Sequence, residues 1–294
     1  MLTYESCTLC PRRCGVNRVA GQLGFCRMPG HLVAARAAAH YWEEPVISGD
    51  FGSGAVFFSG CTLGCGFCQN EPISHGGLGK EITPQRLREI FLELIDQGVT
   101  NINLVTGTQF LPSILPALEP KLPVPVVWNS GGYESVETLR ILEGHIDVYL
   151  PDFKYSDSAL AKQLSGAADY PEVAAAAIHE MYRQTGPAVV KDGVLVRGTL
   201  IRHLLLPGQI DNALGVLDWI AENFPRGTVP VSLMRQYLPM GWAAKTPPFD
   251  RTVTDTEYDA VLSWMYLLDL DNGFTQEAAA SDQAYIPPFD FEGL

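Results

Sequence analysis

The chain has 294 residues, 47% of them hydrophobic, and 33 acidic against 20 basic side chains give a formal net charge of −13. This length suits one large barrel-like domain or two smaller ones, with ample chain to bury a core. The acid excess argues against general nucleic-acid binding, which needs clustered Lys and Arg, and no apolar run reaches the ~18 residues of a membrane span.

The start, "MLTYESCTLC", lacks a basic stretch followed by an apolar core, so no signal peptide is expected and the expected compartment is the cytoplasm. There, cysteines at ligand spacing bind metal rather than pair as disulfides. Residues 1–30 read as a small glycine-rich module with Cys7, Cys10, Cys14 and Cys26 in a CxxC-x3-C-x11-C pattern. Four thiolates can close a zinc or an iron–sulfur site, and metal binding is much of what folds so coreless a segment. The dense basic spot of the chain, Arg12, Arg13 and Arg18 in "PRRCGVNR", is a candidate patch for an anionic substrate.

Residues 31–54 read as a connecting segment leading to a buried strand at Ala55–Ser59. That strand empties into "GCTLGCGFCQN", which places Cys61, Cys65 and Cys68 within eight residues. No fourth cysteine stands nearby, and an open coordination position marks a metal centre that must bind something else. All seven cysteines fall into these two groups.

From there strands and helices alternate. Thr83 and Pro84 cap "QRLREIFLELIDQG", whose Leu87, Ile90, Phe91, Leu94 and Ile95 share one helical face. The strands "NINLVTG", "VPVVWNS", "IDVYLPDF", "VLVRGTLIRHLLLP" and "VPVSLMRQYLP" follow, with helices between them, and Thr254 and Glu257 form a capping box for the last helix. Six βα units predict an α/β fold, an incomplete (β/α)6 TIM-like barrel over residues 55–273, with a C-terminal tail at 274–294 draped on the surface or over the mouth. Polar residues recur just after each strand: the three cysteines, Thr106–Gln109, Asn129–Gly132, Asp152–Lys154, Arg202 with His203, and Gln236 with Tyr237. Carboxyl strand ends form the active face of such barrels.

The run "CTLGCGFC", following the first strand of a six-unit barrel, resembles the signature of radical S-adenosylmethionine enzymes. The resemblance spans nearly the whole chain. It implies that Cys61, Cys65 and Cys68 hold three irons of a [4Fe–4S] cluster and that the amino and carboxylate groups of S-adenosylmethionine chelate the fourth. An electron passed into the sulfonium would give methionine and a 5′-deoxyadenosyl radical, which takes a hydrogen atom from the substrate. "IRHLLLPG" is similar to the segment of pyruvate formate-lyase activating enzymes whose arginine approaches the cosubstrate, implicating Arg202. "WNSGGY" resembles their ribose-side loop (Asn129, Ser130), "YLPDFK" their Asp-x-Lys strand (Asp152, Lys154), and Phe67 matches an aromatic position near the adenine.

Two segments depart from that pattern. "TGTQ" replaces the Gly-Gly-Glu that receives the methionine amine, leaving Thr106 as the candidate contact, and "MRQYLPMG" puts Tyr237 roughly where the activating enzymes have a histidine. With Lys154, Tyr237 is then a candidate catalytic residue. The N-terminal "CTLCPRRCGVNR" and "GQLGFC" look most like a branch of uncharacterised activase-like radical proteins. The resemblance implies an electron donor such as flavodoxin or ferredoxin. The expected activity is hydrogen abstraction from a substrate, with a glycine of a partner glycyl radical enzyme as one candidate. A small molecule or peptide side chain is the alternative. A non-catalytic iron–sulfur or zinc protein is the reading from another class, against which the polar strand ends speak.

Overall fold

The structure, a computed structural model, describes residues 3–277 and 286–294. Residues 3–31 form turns without helix or strand. Strand β1 (Leu32–His40) then runs antiparallel to β2 (Ser53–Phe58), with the short helix α1 (Pro45–Ser48) between them. After α2 (Glu71–Ser74), the short β3 (Lys80–Ile82) pairs with the start of β1. The stretch expected to be a mere connection therefore carries a nine-residue strand.

The parallel part begins at β2. It continues through β4 (Ile102–Val105), β5 (Val126–Ser130) and β6 (Val148–Pro151), each pairing with the one before. β6 pairs with the end of β8 (Val194–Thr199) and, through an Asp152–Arg202 bridge, with β9 (Ile201–Leu204). Leu200 alone separates β8 from β9, so the two serve as one bent barrel strand. β10 (Val231–Met234) and the two-residue β11 (Phe274–Thr275) complete the row, while β7 (Val189–Lys191) is an antiparallel flap on β8. Among the described residues, six parallel barrel strands with helices between them make the incomplete (β/α)6 barrel that the alternation predicts.

Helix α3 (Pro84–Asp96) starts where expected, the Thr83 hydroxyl accepting from the Arg86 amide at 3.0 Å, and it buries Leu87, Ile90, Phe91 and Leu94. Helices α4 (Leu111–Ile114), α5 (Val136–Ile141), α7 (Tyr170–Thr185), α8 (Ile210–Asn223) and α9 (Asp255–Leu267) fill the remaining expected slots, and α9 carries the Thr254–Glu257 capping box. Helix α6 (Ser158–Ser165), capped by Asp157 and closed by left-handed Gly166, is an addition to that series.

Alternation along the strands sorts two environments. Val56, Phe58, Leu104, Trp128 and Tyr149 pack outward against α3, α4, α5 and α7. Ala55, Phe57 and Val105 face the lumen, as do Val127, Val148 and Leu150, on which Ile47 of α1 packs. Asn101 Nδ2 donates to the Ile47 carbonyl at 2.7 Å and Thr100 Oγ1 to that of Ser48 at 2.8 Å. The 41–52 loop thus closes the amino end of the barrel and directs Glu43 into the lumen. Residues 286–294 run along β1: the Ala37 amide donates to Glu292 at 2.8 Å, the Phe291 amide to Ala35 at 3.1 Å, and Phe289 packs edge-on against Phe57. The part of the tail at 278–285 lies outside the described residues.

Candidate active site

The barrel encloses a cavity of 310 Å³. Cys61, Cys65, Cys68, Phe67, Thr106, Asn129, Ser130, Asp152, Lys154 and Arg202 all line it, so of the barrel residues that the resemblance implicates only Tyr237 stays outside. Strand parity decides who faces inward. Arg202 and Leu204 of β9 reach the cavity, whereas His203 between them is fully buried on the other side, with Nδ1 2.7 Å from the Phe153 carbonyl.

The three-cysteine loop is clamped from three directions. Gly60 has φ +76, and a Cβ there would collide with Met28 and the Cys26 carbonyl, so only glycine lets the N-terminal module lie this close. Arg12 donates to the carbonyls of Thr62 (3.1 Å), Leu63 (3.1 Å), Ser165 (2.8 Å) and Gly166 (2.7 Å), tying the loop to the end of α6. On the far side the Trp242 indole packs against Gly66, where any side chain would clash.

The loop's chemistry fits a cationic iron centre. The Leu63 amide points at Cys61 Sγ (3.4 Å) and the Ser74 hydroxyl at Cys68 Sγ (3.2 Å), donors suited to thiolates. Burial, and then the neighbouring sulfurs, push the Cys61 thiol up and that of Cys68 to about 12, so thiolates packed this way need positive charge on them. Among the described residues no three His, Cys, Asp or Glu side chains converge on a single ion. A four-iron cluster takes each thiolate on a different iron and so spreads them apart.

Opposite the loop lies a buried ionic network. Arg202 donates through Nε to Asp152 Oδ1 (2.8 Å), through Nη1 to Glu43 Oε2 (2.9 Å) and through Nη2 to Asn129 Oδ1 (2.6 Å). Lys154 Nζ holds the other Asp152 oxygen at 2.5 Å. Burial works against charge on Asp152, but Arg202 and Lys154 outweigh it and keep its carboxyl below the usual range. Lys154 is likewise held protonated: burial opposes its charge and Asp152 more than restores it. Glu43 also accepts from Asn129 at 3.1 Å, and burial raises its pKa against the pull of Arg202. Beside it, burial pushes Glu44 up to about 6. At the end of β4, Thr106 sits at φ 59, a conformation rare for a β-branched residue, with its amide donating to the Asn129 carbonyl at 2.8 Å.

Several expectations are corrected. The Tyr237 hydroxyl donates to the Phe249 carbonyl at 2.7 Å and its ring, 1% exposed, stands behind Phe67 at 5.8 Å, so it does not line the cavity. Gln109 turns away as well, its amide nitrogen donating to the carbonyls of Ser59, Gly60 and Thr106. The basic spot is no anion patch: Arg12 holds backbone carbonyls, Arg13 pairs with Glu137, and buried Arg18 donates to the carbonyls of Met28, Pro29 and Gln109. Glu43 and Glu44 were missed; the adjacent carboxylates of "HYWEEP", between an aromatic pair and a helix-starting proline, were the available signal.

In the N-terminal module, the small cluster of Tyr4, Cys7 and Leu9, with Val16 against it, is the hydrophobic centre. Burial raises the Cys10 thiol to about 12, with Cys26 and Cys7 adding to it, and Cys26 is raised by burial and by Cys7 and Cys14.

The family model of the radical SAM superfamily matches residues 55–220, more than half of the 294-residue chain. A relative in Methanocaldococcus jannaschii, the uncharacterized protein MJ0674, is 32% identical over 279 residues, covering 91% of this chain and 76% of that protein. Among solved structures, HydG, a maturase of the [FeFe]-hydrogenase, superposes with a TM-score of 0.50 at 13% identity, over 79% of this chain and 54% of that one. Streptococcus suis SuiB bound to S-adenosylmethionine gives 0.46 at 15% identity, over 76% and 46%. The chain thus spans about half the length of these two structures. It belongs to the radical SAM superfamily. Membership makes it an enzyme of SAM-cleaving radical chemistry with a [4Fe–4S] cluster and S-adenosylmethionine as cofactors. Among the described residues no helix is long and apolar enough to cross a membrane.

Proposed function

We propose that the protein abstracts a hydrogen atom from a substrate held in the barrel cavity, with Cys61, Cys65 and Cys68 as the cluster ligands. One observation carries this reading: three thiol side chains open into the same cavity as Asn129, Ser130, Asp152, Lys154 and Arg202, while the other four cysteines belong to the N-terminal module. When bound, the cluster and S-adenosylmethionine supply an electron transfer that ends in a 5′-deoxyadenosyl radical. The chain's residues bind and orient. Phe67 offers an aromatic face for the adenine, Asn129 and Ser130 offer an amide and a hydroxyl for the ribose, and Thr106 supplies the polar corner at the end of β4. Ionised Asp152 meets the positive end of the cosubstrate. Lys154 keeps its proton and serves as a cationic hydrogen-bond donor rather than a base. Arg202, engaged by Asp152, Glu43 and Asn129, acts as a positioning residue that fixes the others, where a misplacement of ~1 Å can cost about 100-fold in rate.

In the same reading, Cys7, Cys10, Cys14 and Cys26 hold an iron–sulfur cluster or zinc, and flavodoxin or ferredoxin supplies the electrons. The test is direct. Anaerobically reconstituted protein, reduced with dithionite and given S-adenosylmethionine, should release 5′-deoxyadenosine and methionine; a fully loaded protein that releases neither refutes the reading.

A further inference from the structure

Besides His40 and the three cysteines, five ionisable side chains line this cavity: Glu43, Glu44, Asp152, Lys154 and Arg202. Three are carboxylates and two are cations. Both cations are engaged, Lys154 with Asp152 and Arg202 with Asp152 and Glu43. Glu44 is the carboxylate left over. It is 8% exposed, and its Oε2 is buried with no hydrogen-bond partner among the described residues. A buried carboxylate oxygen without a donor is costly unless something supplies one. Arg202 lies near enough to favour its charge but donates to Asp152, Glu43 and Asn129, and the Ser232 hydroxyl stands beside the carboxyl.

The walls around Glu44 suit a particular kind of donor. Trp42 precedes it by two residues, and Phe57 and Phe274 line the same cavity, so aromatic surface accompanies the negative charge. Aromatic faces attract organic cations and pack their hydrocarbon. A bare metal ion would want several ligands at once, and among the described residues no three acidic, His or Cys side chains converge on one.

We infer that Glu44 receives a protonated nitrogen, so that the substrate of the radical reaction is an organic cation, an ammonium or amidinium group on a hydrocarbon frame. This rests on the proposed function, since it names the class of molecule that the same cavity takes. The cation would complete the charge balance of the interior and give the Glu44 carboxylate a charged donor from the cavity side. A neutral alcohol of the same shape would leave the carboxylate uncompensated, which makes the site selective.

The test is calorimetric titration of the reconstituted protein, first saturated with S-adenosylmethionine, with n-butylammonium chloride, n-butanol and potassium chloride. We expect n-butylammonium to bind and n-butanol not to. Glu44→Gln should weaken ammonium binding by about tenfold or more, as loss of a charge-assisted hydrogen bond does, while Glu44→Asp, which keeps the charge, retains most of it. Four results would overturn the inference: no ammonium binding by the wild type, undiminished binding by Glu44→Gln, competition by potassium at equal strength, or a matching fall in S-adenosylmethionine affinity in Glu44→Gln, which would assign the carboxylate to the cosubstrate. The initial saturation reports separately on the proposed function: a loaded protein that shows no S-adenosylmethionine binding refutes that reading whatever the amine titration gives.

Discussion

The three-cysteine loop and the N-terminal module touch one another, the Cys26 carbonyl lying against Gly60 and Arg12 reaching Thr62 and Leu63, yet different forces hold each in shape. The loop borrows its order from the barrel. Leu63, Cys65 and Phe67 are buried in the larger core, and Trp242 and α6 fix its turns. The module's own apolar cluster has three buried members, Tyr4, Cys7 and Leu9, and Val19, Leu23 and Phe25 are left exposed. A loop held by its surroundings can keep a coordination position open, whereas in the proposed reading a module with so little core depends on a metal bound by its four cysteines.

Four variants sharpen or break that contrast. The largest effect should come from the barrel side. Arg202→Ala leaves Asp152 and Glu43 short of a countercharge in the interior, and removing one partner of a buried pair costs about 3–5 kcal/mol. Urea unfolding of the reconstituted protein reads this directly; a loss below about 1 kcal/mol would mean that the network does not organise the barrel.

Next comes Glu134, buried behind the Thr106–Gln109 turn. Its Oε1 accepts from the Thr108 hydroxyl at 2.5 Å, its Oε2 lacks a partner among the described residues, and burial pushes its pKa to about 7. A carboxyl with a raised folded-state pKa stabilises most below its unfolded value of 4.5, and that contribution is lost as pH rises through about 7. Stability should therefore fall by roughly 3 kcal/mol between pH 5 and 8, and Glu134→Gln should flatten most of that slope. An unchanged slope in thermal denaturation would remove Glu134 from the account.

On the module side, Arg12→Ala removes four hydrogen bonds to carbonyls and the cation over Phe25, 3.8 Å from its ring centroid. Limited proteolysis should then cut residues 1–30 first and leave the barrel intact, a local loss of about 2 kcal/mol. Simultaneous digestion of both would show that they unfold as one. The smallest effect belongs to Tyr237→Phe. Loss of the bond to Phe249 should cost about 1 kcal/mol and leave the yield of 5′-deoxyadenosine unaltered, since the hydroxyl does not reach the cavity.

Much of the barrel was legible because its strands are apolar runs ending in polar residues, and because Thr83 and the Thr254–Glu257 pair announce their helices. The strand β1 was not. "LVAARAAAH" is alanine-rich, and alanine carries little strand signal, so only pairing with β2 reveals it. With β1 hidden, the loop after it read as a connection and Glu43 and Glu44 went unnoticed. Lumen-facing residues within strands could be ranked by parity, which separates Arg202 from His203. Tyr237 lies past the end of β10, where alternation lapses, and its direction follows from Phe249, more than ten residues downstream. The arginines of "PRRCGVNR" misled for a similar reason: their partners are backbone carbonyls as distant as Gly166, which no local pattern encodes.

The central claim is that the open iron sits at Cys61, Cys65 and Cys68 and the closed site at the N-terminus. Electron paramagnetic resonance of the dithionite-reduced protein, with and without S-adenosylmethionine, tests it in the wild type and in the variant with all three loop cysteines replaced by Ala. The account predicts a cosubstrate-dependent change of spectrum in the wild type that vanishes in the variant, whatever signal the N-terminal site retains. A cosubstrate-dependent change that survives loss of all three loop cysteines would contradict it.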